Sequence, residues 1–233
     1  MAGPATVGPV EWPEGQTIQT SPFKMNLPKY HLKAESEFTR FEFTSEGKKG
    51  AIRKLIEFQA TTDPEVYNLA FGDKDPSTGE TDDLAVSDNG DTEKVLATIT
   101  DALYVFFDKH PTSYVYATGS TKARTRLYRM GITRFHDEMQ NDFYLYGQIG
   151  DSYLEFELDK EYDGFLAQKD ILTKLPIMKT VEELNKRKLP IVAIDPALDK
   201  YRNKIMFPEK LEKANKMLKT AKLPPNKNLL SSS

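Results

Sequence analysis

The chain has 233 residues, 39% of them hydrophobic, which is enough for one good core plus a smaller appendage. It contains no cysteine, which excludes a disulfide framework, a thiolate zinc site and a cysteine nucleophile, and no apolar run approaches the ~20 residues that cross a bilayer. The formal charge of −3 hides an asymmetry: residues 169–233 carry 15 Lys and Arg against 7 Asp and Glu, a net +8, leaving −11 on the preceding 168 residues. With no signal-peptide pattern at the start, the expectation is a cytoplasmic protein without a membrane partner, whose two oppositely charged parts attract each other.

Residues 1–24 are rich in Gly, Pro and Thr with no sustained period, and read as a disordered leader; Met25 then resembles a natural start. From Glu37 the pattern turns to strands. Phe38, Phe41 and Phe43 lead into a turn over Ser45–Gly50, and Ile52, Leu55, Ile56 and Phe58 form the return strand. Val66–Phe71 and Asp83–Ser87 read as a second pair around the Asp-Pro and Thr-Gly steps between them. Asp91–His110 is the clearest helix, with Val95, Leu96, Ile99, Leu103, Phe106 and Phe107 on one face and Pro111 as its stop. A half-buried strand over Tyr114–Thr118 leads through Gly119 and Ser120 into a second helix capped by Ser120 or Thr121 and ending near Gly131. Strands over Asp142–Ile149 and Tyr153–Leu158 flank the Gly150-Asp151 turn.

After Gln168 the chain becomes basic. Leu189–Ile194 is a short strand candidate, and Pro208–Lys222 a lysine-rich helix with Leu211, Ala214, Leu218 and Ala221 inward. This segment has too little apolar surface to fold alone, so it docks or stays mobile. The predicted fold is therefore α+β: a largely antiparallel mixed sheet and two main helices over residues 25–168, with a basic helical extension over 169–233.

The second helix carries Arg124, Arg126 and Arg129. With the backbone of Gly119, Ser120 and Thr121 they are candidates to hold a phosphate or carboxylate, since exposed N–H groups and guanidinium groups suit anions. The alternative is that the arginines pair with the many acids of the body. Net −11 makes nucleic acid an unfavourable partner for the body, although the basic tail remains a candidate contact. Seven acids between Asp73 and Asp91 fail the spacing of a calcium loop, and His31, His110 and His136 are isolated, so no metal site is expected.

The order of strands and helices, with Val115, Ser120, Ala123, Leu127-Tyr128 and Gly131-Ile132 at matching spacing, resembles the Gcn5-related N-acetyltransferase fold. That resemblance implies a pyrophosphate loop at Ser87–Thr92, with Asn89, Gly90 and Thr92 facing the cofactor, and Tyr128 as general acid; a single glycine there, with Asp88 and Asp91 beside it, departs from the family's pattern. The stretch from Met25 to Gln168 also resembles a bacterial domain family of unknown function, and the segment from Met178 is similar to small basic proteins reminiscent of antitoxins. Two readings follow. One is a non-catalytic or regulatory binding module that uses no cofactor, whose basic tail or a partner protein occupies the acidic body, as in a fused toxin–antitoxin-like pair. The other is an N-acyltransferase that uses acetyl-coenzyme A.

Overall fold

The computed structural model describes residues 28–75, 81–82, 88–171 and 192–228. The leader, the strand expected over Asp83–Ser87 and the basic stretch around Met178 lie outside the described residues. The rest is an α+β fold on one mixed sheet of ten strands.

Strands β1 (Leu32–Ala34), β2 (Arg40–Gly47), β3 (Gly50–Ala60) and β4 (Val66–Lys74) run antiparallel in sequence order. The β2–β3 hairpin closes on a Gly47↔Gly50 pair, where Gly50 has φ +87, a conformation open to glycine. Beyond β4 come β5 (Thr81–Asp82), helix α1 (Thr92–Lys109), strand β6 (Tyr114–Ala117), helix α2 (Lys122–Arg134) and the short turn α3 (His136–Met139). Strands β7 (Phe143–Ile149), β8 (Ser152–Glu155) and β9 (Gly164–Lys169) complete the body, with β9 inserted between β6 and β7. The sequence reading lacks β9. Its residues from Gly164 to Gln168 are all buried, so the alternation that marks a half-exposed strand is missing.

Helix α1 lies against one face of the sheet. Its apolar stripe packs on Phe41, Phe43, Ile56, Phe58 and Leu69, and Phe106 stacks on Phe58 with ring centroids 4.2 Å apart. Every residue from Ala97 to Phe107 is buried, including the polar side of the helix. Lys29 reaches Asp101 at 2.6 Å, and the Tyr30 amide donates to Thr98 Oγ1 at 3.0 Å, so the covered polar groups keep partners. Helix α2 extends past the expected stop. Gly131 is interior to it rather than a cap, and a Cβ there would lie 3.1 Å from Leu96 of α1, so glycine permits the two helices to approach.

The C-terminal segment lies across the opposite face. Strand β10 (Val192–Ile194) pairs parallel with β1, a 3₁₀ turn covers Pro196–Tyr201, and helix α4 (Pro208–Thr220) follows. Ala214 and Leu218 of α4 pack with Val66, Tyr114, Tyr116 and Leu166, while Met206 and Phe207 cover Leu55 and Ala70. Polar contacts fix the same placement: Thr220 to Asp151 at 2.6 Å, Lys227 to Glu155 at 2.7 Å, and Asn215 Oδ1 accepting from the Thr62 amide at 2.9 Å. The buried stripe of α4 contains Lys210, Ala214 and Leu218 at i, i+4 and i+8, whereas Leu211, expected inward, is only half-buried.

Candidate functional site: the gap between two parallel strands

Strands β4 and β6 are parallel and paired over three positions, Val66↔Tyr114 to Asn68↔Tyr116. Strand β4 then continues while β6 ends at Ala117. On its other side β4 is paired with β3 as far as Asp73, so β5, which pairs with Asp73 and Lys74, stands on the same side as β6. Between them the edge of Leu69–Gly72 has no strand beside it among the described residues. Buried backbone polar groups need partners. Here side chains supply them: Lys210 donates to the Phe71 carbonyl at 3.1 Å, and the Tyr128 hydroxyl stands 3.5 Å from the Leu69 carbonyl.

A cavity of about 330 Å³ opens at this gap on the α1 side. Leu69 and Phe71 of β4, Val115 and Ala117 of β6, and Ile99 and Leu103 of α1 make its apolar walls, and Leu127, Tyr128 and Gly131 of α2 close it. That size falls in the range of small-molecule sites, and a mostly apolar wall with a few convergent polar groups is their usual chemistry. The polar residues that line it include Arg124 from α2, Lys54 and Asp73 of β3 and β4, and Asp88, Asn89, Asp91 and Thr92 from the start of α1 and the turn before it. Lys54 is ion-paired with Asp73.

The turn before α1 is locked in place. Asn89 Oδ1 accepts from the Lys49 amide at 2.7 Å, its Nδ2 donates to Ser45 Oγ at 2.9 Å and to the Gly50 carbonyl at 3.0 Å, and its own carbonyl accepts from the Lys48 amide at 2.9 Å. Asp91 accepts from Tyr30 at 2.7 Å and Ser45 at 2.6 Å instead of capping the helix. Asn89 therefore serves the β2–β3 hairpin while lining the cavity. Gly90, at φ +79, is exposed with the Lys48 side chain against it, and Thr92 stands exposed at the rim.

The turn before α2 is equally close-packed. A Cβ on Gly119 would lie 2.2 Å from the Thr125 amide nitrogen, so only glycine fits. The Gly119 amide donates to Thr125 Oγ1 at 3.1 Å, and its carbonyl accepts from Lys213 of α4 at 2.5 Å. Thr121 is the N-cap, accepting from the Arg124 amide at 3.3 Å, and Ser120 Oγ is buried without a hydrogen-bond partner among the described residues. The three arginines diverge. Arg124 is buried at the cavity, Arg126 is exposed, and Arg129 turns to the Lys160 carbonyl at 3.3 Å and to Glu161 at 3.7 Å. Of the predicted site residues, Asn89, Thr92, Arg124 and Tyr128 share the cavity wall, whereas Gly119, Ser120 and Thr121 form the turn behind it.

Sequence reasoning did not nominate Lys210 and Lys213, which reach the gap from α4. Lys210 is 2% exposed; its Nζ also lies 3.3 Å from the Tyr128 hydroxyl. The signal was available: position 210 shares a helical stripe with Ala214 and Leu218. Lys213, partly buried, has its proton affinity lowered by desolvation and then by the Lys210 charge, with Asp163 opposing. Behind them the Tyr116 hydroxyl donates to Gln148 at 2.7 Å and touches Met217 Sδ at 3.2 Å, and burial pushes its pKa far above that of free tyrosine.

Among the described residues no helix is long and apolar enough to cross a membrane. The family of unknown function DUF6934 matches residues 26–170, and the chain belongs to that family. None of the curated proteins and none of the solved structures matches it.

Proposed function

We propose that this member of the DUF6934 family is a binding module whose cleft between β4 and β6 takes an extended, largely apolar ligand, with the chain's own C-terminal segment, docked on the opposite face of the sheet, as its regulator. The observation that carries the reading is the parting of two parallel strands over a cavity of about 330 Å³, with a stretch of strand edge that, among the described residues, is met by side chains and no strand. An extended ligand with amide groups can pair with such an edge as a strand does. The placement of a basic segment against an acidic body by Thr220, Lys213 and Lys227 fits a fused pair in which one part controls the other.

A second reading is favoured by Tyr128. Its hydroxyl stands at the cavity wall beside an amine, where a general acid in acyl transfer belongs. The sequence order β4, α1, β6, α2 supports an acetyltransferase-like topology, and the protein would then be an acyl-coenzyme A dependent N-acyltransferase with its diphosphate near Asn89 to Thr92. Asp88 and Asp91 at that turn weigh against an anion there.

The test is calorimetric titration of acetyl-coenzyme A and of pantetheine into the full chain, with melting temperature followed in parallel. The binding reading predicts heat and a raised melting temperature, about 2.7 kcal/mol of stabilisation at a hundredfold excess over Kd, without release of free thiol. Ala117→Trp, which fills the cleft from its floor, abolishes both signals. Thiol release that needs an amine and is lost in Tyr128→Phe selects the acyltransferase. No binding of either compound at millimolar concentration contradicts both readings of the cleft with these ligands.

A further inference from the structure

Three lysines are buried among the described residues, Lys54, Lys74 and Lys210. Two have carboxylates: Lys54 is paired with Asp73 and Lys74 with Glu42. Lys210, the most deeply buried at 2% exposure, has no ion-pair partner among the described residues. Its ammonium meets one carbonyl and one hydroxyl, and it lies 5.6 and 5.7 Å from the ring centroids of Tyr128 and Phe207. Removing a cation from water without an opposing charge is costly, and proteins rarely leave one so placed without an anion to meet it.

We infer that the cleft is built for a ligand with a carboxylate head on an apolar chain, the head bridging the Lys210 ammonium and the Tyr128 hydroxyl where β4 and β6 part. The inference rests on the reading of the cleft as a ligand site. Lys210 comes from α4 on one face of the sheet; its two partners, Phe71 and Tyr128, line the cavity on the other. Lys210 is not itself on the cavity wall, but the two residues that hold its ammonium are, and among the described residues no strand stands beside Leu69–Gly72. The Tyr128 hydroxyl is bound weakly where it stands, 3.5 Å from the Leu69 carbonyl, and can turn its proton to an arriving oxygen. Leu69, Ile99, Leu103, Val115 and Ile132 then receive the chain. Lys213, three residues further along α4 and bound to the Gly119 carbonyl, adds a second cation without an ion-pair partner among the described residues, its charge opposed by Asp163.

The proposal separates charge recognition from apolar binding, and so does its test. Sodium octanoate and 1-octanol are titrated into the full chain by calorimetry, and into Lys210→Met. In the native chain octanoate binds tighter than octanol by roughly tenfold or more, the worth of one charged hydrogen bond. In Lys210→Met octanol binds as before, which reports an intact cleft, and octanoate loses its advantage. Equal binding of the two compounds by the native chain overturns the carboxylate site and leaves the cleft standing. Binding of neither overturns the cleft as well.

Discussion

Replacing Glu57 by alanine destabilises the protein by about 3–5 kcal/mol, the range for removing one member of a buried ion pair. Glu57 and Arg40 face each other across β2 and β3, each 4% exposed and ion-paired. The second carboxylate oxygen of Glu57 accepts from the Met206 amide at 3.0 Å and from Gln59 Nε2 at 3.0 Å. Arg40 in turn donates to the Lys204 carbonyl at 2.6 Å. Losing Glu57 leaves a buried guanidinium without its carboxylate and an amide of the C-terminal segment without an acceptor, so both the sheet and the docking of that segment suffer. Chemical denaturation measures the loss, and limited proteolysis shows whether cleavage moves to the residues around Met206. The double variant Arg40→Met, Glu57→Leu recovers part of the stability, because the desolvation cost disappears with both charges while the Met206 amide and the Lys204 carbonyl stay without their partners. A loss below ~1 kcal/mol for Glu57→Ala, the range of solvent-exposed pairs, contradicts the buried pair.

Phe106→Ala has a comparable effect through packing. Phe106 is fully buried, stacks on Phe58 and on His110 at 4.5 Å, and meets Tyr67 edge-on at 5.0 Å. Deleting such a ring costs about 3–5 kcal/mol, as transfer free energy plus the cavity that remains. Leu127→Ala, at a residue 39% exposed, is the control, with an effect within about 0.5 kcal/mol. The contrast is read from the two midpoints at equal denaturant slope. Similar losses from both substitutions contradict the placement of α1 on the sheet.

What the sequence made legible was local. The periodicity of α1, the turn within Ser45–Gly50 and the strand–glycine–helix run from Tyr114 into α2 all follow from spacing and turn chemistry. Strand β9 did not show, because burial on both faces removes the period of two. Helix α4 was found with Leu211, Ala214, Leu218 and Ala221 inward, but Lys210 was not among its inward residues, since charge is the ordinary mark of an outer face; its partners, the carbonyl of Phe71 and the hydroxyl of Tyr128, lie more than 80 residues away in sequence. The gap beside β4 is a matter of register between strands that are far apart in the chain, and no local pattern encodes where a parallel pair stops. Asn89 and Tyr128 were singled out from a resemblance. The structure puts both on the cavity wall, yet commits the Asn89 amide to the β2–β3 turn.

The central claim is that the edge of Leu69–Gly72 and the wall of α2 are the ligand site. Amide hydrogen exchange of the full chain, with and without saturating octanoate, addresses it directly. Protection concentrated in β4 from Leu69 to Lys74, in Ala117 to Gly119 and in α2, with the β2–β3 hairpin unchanged, is the result this account predicts. Protection elsewhere, with those segments exchanging as in the free protein, would contradict it.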